Sequence, residues 1–389
     1  MKTKFKIMKK LLLLITCIAM IQISSFSQQC LPEGYDFQTQ AEIDSFPINY
    51  PNCTQIEGNV IIRGGSDIHN LSGFSMITSI KHLFIWGSTG TDSLKSLTGL
   101  ENIRTLGGLK INFADGLKDL TGLNNLSLVN GDVEILYSGF TDFSGLENLI
   151  AINGGIYIGD NDSLKSLSGL NNLNLVKGPF KILFNNSIKN LSGLDNLRTI
   201  ESFITIGFND SLTSLDGLDN LTTLVSNLQI VENNQLTSLS GIKNIAPSFD
   251  YLFIVDNPLL SACEVKSICD YVVNPNGPIV IHDNAEGCNS QAEVEDACSA
   301  IGVSELFYGR KVSIHPNPCK TKLSLDFEND NNNEEVFYNI YSVSGQLIKS
   351  GGFNMKNNNT LDVTQLVKGF YLIKLHSDKR NYLGKFIKL

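Results

Sequence analysis

Apolar positions in this chain repeat on a long period, far from the 3.6 residues of a helix. Leucine, isoleucine and valine fall in the frame L-x-x-L-x-G-L-x-N-L, as in Leu191-Ser192-Gly193-Leu194-Asp195-Asn196-Leu197. Its glycine returns at Gly73, Gly99, Gly122, Gly145, Gly169, Gly193, Gly217 and Gly241, at intervals of 23 to 26 residues. A period of this size predicts a solenoid, in which each turn buries its apolar face only by stacking on the next. A second motif follows each glycine frame: two apolar residues flank a variable one, as in Val133-Glu134-Ile135, Ile156-Tyr157-Ile158 and Ile204-Thr205-Ile206. That alternation predicts a short strand with one buried face. Three residues on stand Asn161, Asn185, Asn209, Asn233 and Asn257. A buried amide there would satisfy backbone groups of neighbouring turns.

The segments between strands are rich in Ser, Thr, Asn and Gly, so turns and short extended pieces are expected on the outer side. Parallel strands joined by such crossovers should wind right-handed. Val60–Ile62 and Leu83–Ile85 read as the first two strands. After Ile254 the spacing of Ser261–Val273 becomes helical, with Ser261 as N-cap. Ile279–Ile281 and Asn284 then supply a last strand and its asparagine. The order L-x-x-L-x-x-x-L-x-I-x-x-N-x-x-L-x-x-L, over Ile56 to about Ile281, resembles the leucine-rich repeat in the looser form of receptor L domains. The expected fold is mainly β: a right-handed leucine-rich-repeat solenoid with a parallel sheet and disulfide caps, followed by a small β-sandwich. Its boundaries read as an N-terminal cap over 28–55, a solenoid with a helical C-terminal cap over 56–300, a linker over 301–311 and the second module over 312–389.

Residues 1–27 read as a signal peptide. Lys2, Lys4, Lys6, Lys9 and Lys10 precede an apolar run from Leu11 to Ile23, and Ser25-Phe26-Ser27 offers a cleavage site. The run is short for a transmembrane helix, and no other segment could span a membrane. Cysteine usage fits an oxidising compartment. Cys30 and Cys53 precede the solenoid, Cys263, Cys269, Cys288 and Cys298 follow it, and none lies in the repeats. Disulfides there would hold the ends most prone to fraying. The expected pairs are Cys30–Cys53, Cys263–Cys288 and Cys269–Cys298, with exchange between the last two open. Cys319 has no partner in its own module.

The tail changes pattern. Val312–His315, Leu323–Phe327, Val336–Tyr341 and Leu366–Lys374 alternate as short strands, and Ser344-Gly345 turns into Gln346-Leu347-Ile348. Pro316-Asn317-Pro318, the S-G-Q-L turn, Gly369-Phe370-Tyr371 and the ending Lys385-Phe386-Ile387-Lys388-Leu389 resemble the type A C-terminal sorting domain of the type IX secretion system of Bacteroidetes-type bacteria. The resemblance implies that this module engages the secretion machinery and directs the chain across the outer membrane. The module is then usually removed, and the mature part is released or attached to the surface. It also makes the Asp-Ser-Leu triplets at Asp92, Asp162 and Asp210 candidates for O-glycosylation, on Ser93, Ser163 and Ser211.

Charge divides along the same boundary. Residues 28–304 carry 13 Lys and Arg against 31 Asp and Glu, a net of −18, and residues 305–389 carry 12 against 8, a net of +4. An acidic solenoid argues against nucleic acid and anionic membrane as ligands. His69, His82, His282, His315 and His376 are scattered, and no nucleophile elbow, metalloprotease helix, phosphate loop or dinucleotide fingerprint is present. No cofactor, metal or catalytic residue is therefore expected. Asp160-Asn161-Asp162 lacks the spacing of a calcium loop. What remains is the outward face of the sheet, where Phe84, Trp86, Tyr157 and Phe253 are candidate anchors for a protein or glycan ligand. The expectation is a surface or secreted adhesion or recognition protein. The rival readings are a structural surface-layer component and a recognition module attached to an enzyme.

Overall fold

The computed structural model describes residues 28–63, 67–87, 93–300, 310–327, 335–342, 346–354, 359–377 and 381–389. The signal peptide 1–27, Asp92, most of the linker (301–309) and the Ser344-Gly345 turn lie outside the described residues.

Each repeat is one flat coil. In the coil that starts at Leu191, Leu191, Leu194, Leu197, Ile200, Ile204, Ile206 and Leu212 all point inward and are fully buried. Each such side chain contributes ~1.5–3 kcal/mol of transfer free energy, which opposes the entropy of ordering the coil. The predicted strands pair in parallel, in chain order and without slippage, so that Ile156, Phe180, Ile204, Leu228 and Leu252 are successive partners. A second parallel ladder runs beside the first. It uses two-residue strands such as Ala151–Ile152, Leu175–Val176 and Thr199–Ile200, which lie just ahead of each longer strand. These are the extended pieces expected between the frames.

The asparagines fall inside. Asn161, Asn185, Asn209, Asn233 and Asn257 have no exposed surface. The Asn161 oxygen accepts the backbone N–H of Ser138 one coil back at 3.0 Å, and each later oxygen accepts that of the preceding asparagine, from Asn185 to Asn209 at 3.0 Å and from Asn233 to Asn257 at 3.0 Å. Each amide nitrogen donates to a strand carbonyl of the preceding coil, and most also to one in their own coil, as Asn209 Nδ2 does to Ile182 O at 3.0 Å and Gly207 O at 2.9 Å. A second ladder comes from the asparagine of the glycine frame. Asn148, Asn172, Asn196 and Asn220 each donate to a backbone carbonyl of the preceding coil at 2.6–2.7 Å.

The ends depart from the sequence reading in two places. A strand at Tyr35–Phe37 pairs with Val60–Ile62, so the sheet begins one coil earlier than expected. The helix Gln40–Asn49 then closes that end. Thr39 and Glu42 form a capping box, and Ile43 and Phe46 are driven into the core. At the other end the helix is Lys266–Val273 and its cap is Val265, with no side-chain bond. Ser261 is not the cap, because Ala262 still bridges to Ser238 in the previous coil and Cys263 is tied by a disulfide. A further helix, Gln291–Ala300, follows the last strand Ile279–His282. Disulfides join Cys30 to Cys53, Cys263 to Cys288 and Cys269 to Cys298.

The described residues of the tail form seven strands: Arg310–His315, Lys322–Phe327, Glu335–Ser342, Leu347–Asn354, Thr360–Asp362, Gly369–His376 and Asn381–Lys388. The first begins at Arg310, two residues ahead of the expected boundary. It pairs parallel with Tyr382 and Leu383 at its start, and antiparallel with Ser324–Phe327 further on. This change of partner lets the array fold over one core containing Leu323, Leu325, Val336, Ile340, Ile373 and Phe386.

Candidate binding surface

The outward side chains of the long strands form two rows. In the first row, Phe84 lies beside Lys110, Glu134 beside Tyr157, and Tyr157 beside Lys181. Lys110 is paired with Glu134 at 3.1 Å, and Lys181 lies over the Tyr157 ring, 5.9 Å from its centre. In the second row, Trp86 lies beside Asn112, followed by Leu136, Gly159, Leu183 and Gly207. A side chain at Gly159 would enter the Tyr157 ring, so the glycine leaves the room in which that ring lies.

The four aromatic residues singled out from sequence stand on this face but not together. Phe84 and Tyr157 are three rungs apart, ~14 Å, and Tyr157 and Phe253 four rungs, ~19 Å. Trp86 is 38% exposed, whereas Phe84, Tyr157 and Phe253 are half-buried. Phe84 lines a hollow of about 430 Å³ with Asn59, Lys81, His82, Lys110 and Asp132. Phe253 leans on Tyr251 at 5.9 Å.

A stronger aromatic feature lies one residue beyond the strands. From the strand Leu109–Asn112 on, the residue that follows each long strand takes a left-handed conformation: φ is +59° at Phe113, +50° at Tyr137, +55° at Asp160, +58° at Phe184 and +56° at Phe208. This turn breaks the alternation of the strand. Both Gly159 and Asp160 therefore stay off the core, and Asn161 still points in. Phe113 stacks on Tyr137 with centres 5.0 Å apart and planes 4° apart, and Phe184 stacks on Phe208 at 4.5 Å and 16°. Phe113, Tyr137 and Phe184 are all more than a third exposed. Left-handed backbone costs a non-glycine residue roughly 1–2 kcal/mol, and Asn or Asp bears it best. Large apolar rings at these corners therefore serve neither the turn nor the core. The sequence reading missed this row because each member follows the strand triplet, where the period of two no longer applies. Its one visible signal is an aromatic residue 24 positions from another, just ahead of the asparagine position.

Asp160 stands between the two stacks. Burial pushes its carboxyl above the ordinary range, the neighbouring Asp162 adds to the rise, and a hydrogen bond from Tyr137 opposes it. Burial also raises the Tyr157 phenol, and the negative charge of Asp160 raises it further. Asp162 accepts from Asn186 at 3.0 Å and Asp210 from Asn234 at 2.6 Å, an exposed amide–acid ladder beside the buried one. Of the candidate serines, Ser163 is exposed and Ser93 and Ser211 are half-buried.

The histidines are not gathered. His82 contacts Asn59, His282 contacts Asp283, and His315 lies 3.5 Å from Asp326. No group of three or more metal-binding side chains converges among the described residues.

In the tail, Asn317 stitches the last strand in place. Its oxygen accepts from Ile387 N at 2.9 Å, and its amide donates to Lys385 O at 3.1 Å. Cys319 N–H donates to Ile387 O and Leu389 N–H to Cys319 O, both at 2.8 Å. The peptide bonds before Pro316 and Pro318 are cis. Gly369 opens the strand on which Tyr371 stacks against Phe386, and the Tyr371 hydroxyl donates to Val367 O at 2.9 Å. Cys319 is a buried free thiol. Burial raises its pKa, and Lys388 opposes the rise.

Residues 313–389 match the family described as the secretion system C-terminal sorting domain. No curated protein matches the chain. Among solved structures it is similar to InlP of Listeria monocytogenes, at 14% identity and a TM-score of 0.30 over 92% of this chain and 87% of that one. It is also similar to the chitinase ChiW of Paenibacillus sp. str. FPU-7, at 11% identity and a TM-score of 0.16 over 86% of this chain and 23% of that one. The sorting domain marks the chain for type IX secretion to the cell surface or the outside. No helix among the described residues is long and apolar enough to cross a membrane.

Proposed function

We propose that this is an exported, non-catalytic recognition protein that holds an extended protein or glycan ligand along its solenoid. The supporting observation is the exposed pair of aromatic stacks at Phe113/Tyr137 and Phe184/Phe208, kept in a backbone conformation that aromatic residues take at a cost. Exposed rings held rigidly by a sheet make good anchors, because little side-chain freedom is lost on contact. The sheet beneath them is a flat, regular platform of the kind solenoids present to long partners. The scattered histidines and acids support a binding role over catalysis.

A glycan and protein array probed with the purified chain tests this reading. Saturable binding is expected. It should fall at least tenfold when Tyr137 and Phe184 are replaced by alanine, and less when Phe84 and Trp86 are. Both double variants should unfold with the wild type, since none of these rings lies in the core. Turnover of a substrate with no saturable ligand would overturn the proposal.

The tail is proposed to act only in delivery, through the secretion machinery. Deleting residues 312–389 should leave the chain in the periplasm, with its solenoid folded and its disulfides formed. Fractionation of cells reads the outcome, and surface delivery of the shortened chain would refute that role.

A further inference from the structure

The corner row changes character at one rung. Tyr137 ends one aromatic stack and Phe184 begins the next, and between them stands Asp160 with Gly159 beside it. The two rings are two rungs apart, ~10 Å. Each ring is stacked on its outer neighbour, and Tyr137 hydrogen-bonds the Asp160 carboxylate, so the three form a notch with aromatic walls and an acid between them. Among the described residues Asp160 is in no ion pair. The same row continues past Phe208 with the left-handed Glu232 and Asp256, which are likewise in no ion pair.

Resting on the binding role proposed above, we infer that this corner is a docking track for an extended cationic polypeptide. One lysine or arginine side chain sits between Tyr137 and Phe184 against Asp160, and later basic residues pair with Glu232 and Asp256. Three features favour this occupant. A cation between two ring faces is attracted by both π systems and by the carboxylate at once. A positive charge arriving at Asp160 offsets the burial, and the smaller repulsion from Asp162, that disfavour its ionised form. The solenoid as a whole carries a net charge of −18 over residues 28–304, which draws a basic chain toward it. Tyr137 and Asp256 are five rungs apart, ~24 Å, which about eight residues of extended chain can span.

The test titrates the purified full chain calorimetrically with a decapeptide of alternating glycine and arginine. Gly-Ser and Gly-Glu decapeptides and a neutral β-glucan oligosaccharide are run alongside. Saturable binding of the Gly-Arg peptide alone is expected. Asp160→Asn should weaken it about tenfold, as should Tyr137→Leu combined with Phe184→Leu. Asp216→Asn removes the same charge on the outer side of the coil and should leave binding unchanged. Asp160→Asn takes a charge from a partly buried site, so its unfolding temperature should be no lower than that of wild type. Equal loss in Asp160→Asn and Asp216→Asn would reduce the effect to bulk attraction and overturn the inference. Absence of Gly-Arg binding, or equal binding of Gly-Ser, would also overturn it. If the glucan binds and the Gly-Arg peptide does not, the cationic track is refuted while the recognition role stands.

Discussion

Asn209→Ala is expected to destabilise the solenoid by about 3–5 kcal/mol, far more than a typical polar truncation. The side chain has no exposed surface, so water cannot replace it. Its oxygen accepts from both the backbone and side-chain nitrogens of Asn185, at 3.0 and 3.4 Å. Its nitrogen serves Ile182 O, Gly207 O and Asn233 Oδ1 at 2.9–3.2 Å. Alanine strands several of these groups together, and each buried group left unpaired costs ~1–3 kcal/mol before relaxation. Asn196→Ala is the reference variant. It loses a single exposed bond to Asn171 O and should cost about 1 kcal/mol. Urea unfolding followed by circular dichroism compares the two. Because repeats are stabilised by their neighbours, the Asn209 variant should also broaden the transition and lower its slope as the two halves uncouple. Equal midpoints for both variants would refute the buried-ladder account.

Gly193→Ala should be at least as damaging, at more than about 4 kcal/mol. Gly193 has φ of +112°, which an alanine tolerates badly, and its added Cβ would stand 2.3 Å from the carbonyl carbon and oxygen of Leu167 in the preceding coil. Those are backbone atoms, so relief requires the coils to move apart, which loosens both parallel ladders. Gly369→Ala supplies the contrast: the nearest atom to its Cβ is 3.9 Å away, on the Tyr371 ring. Its effect on the tail should be under about 1 kcal/mol. Thermal unfolding of the two variants distinguishes a packed glycine from a permissive one. A Gly193 variant that melts with the wild type would mean the coils are not held at the spacing described.

The coil was legible because its physics is local and repeated. An apolar residue at every inward position, a strand triplet and, from Asn161 on, an asparagine at a fixed offset say the same thing in turn after turn, so one turn explains the rest. The ends were harder to read because they occur once. Ile43 and Phe46 look like any apolar residues in a polar stretch until the open end of the core at Phe37 and Phe74 is in place to receive them. Ser261 looks like a helix cap, but a parallel bridge and a disulfide claim its neighbours first. The amide of the glycine frame was visible in every repeat from Gly99 on, yet its bond to the previous coil appears only when the coils are stacked.

The sequence by itself determined the period, the inward residues, the acidic solenoid, the sorting tail and the aromatic content of the sheet. The tertiary structure alone decided which of those aromatics meet. Phe84, Tyr157 and Phe253 share a face by strand alternation, but rung spacing holds them ~14 and ~19 Å apart. Phe113, Tyr137, Phe184 and Phe208 leave the strand pattern, and a left-handed corner turns them outward into two stacks with Asp160 between. The period of two ends where φ changes sign. Beyond that residue, the direction of a side chain depends on the path of the backbone, which a hydrophobic pattern does not encode.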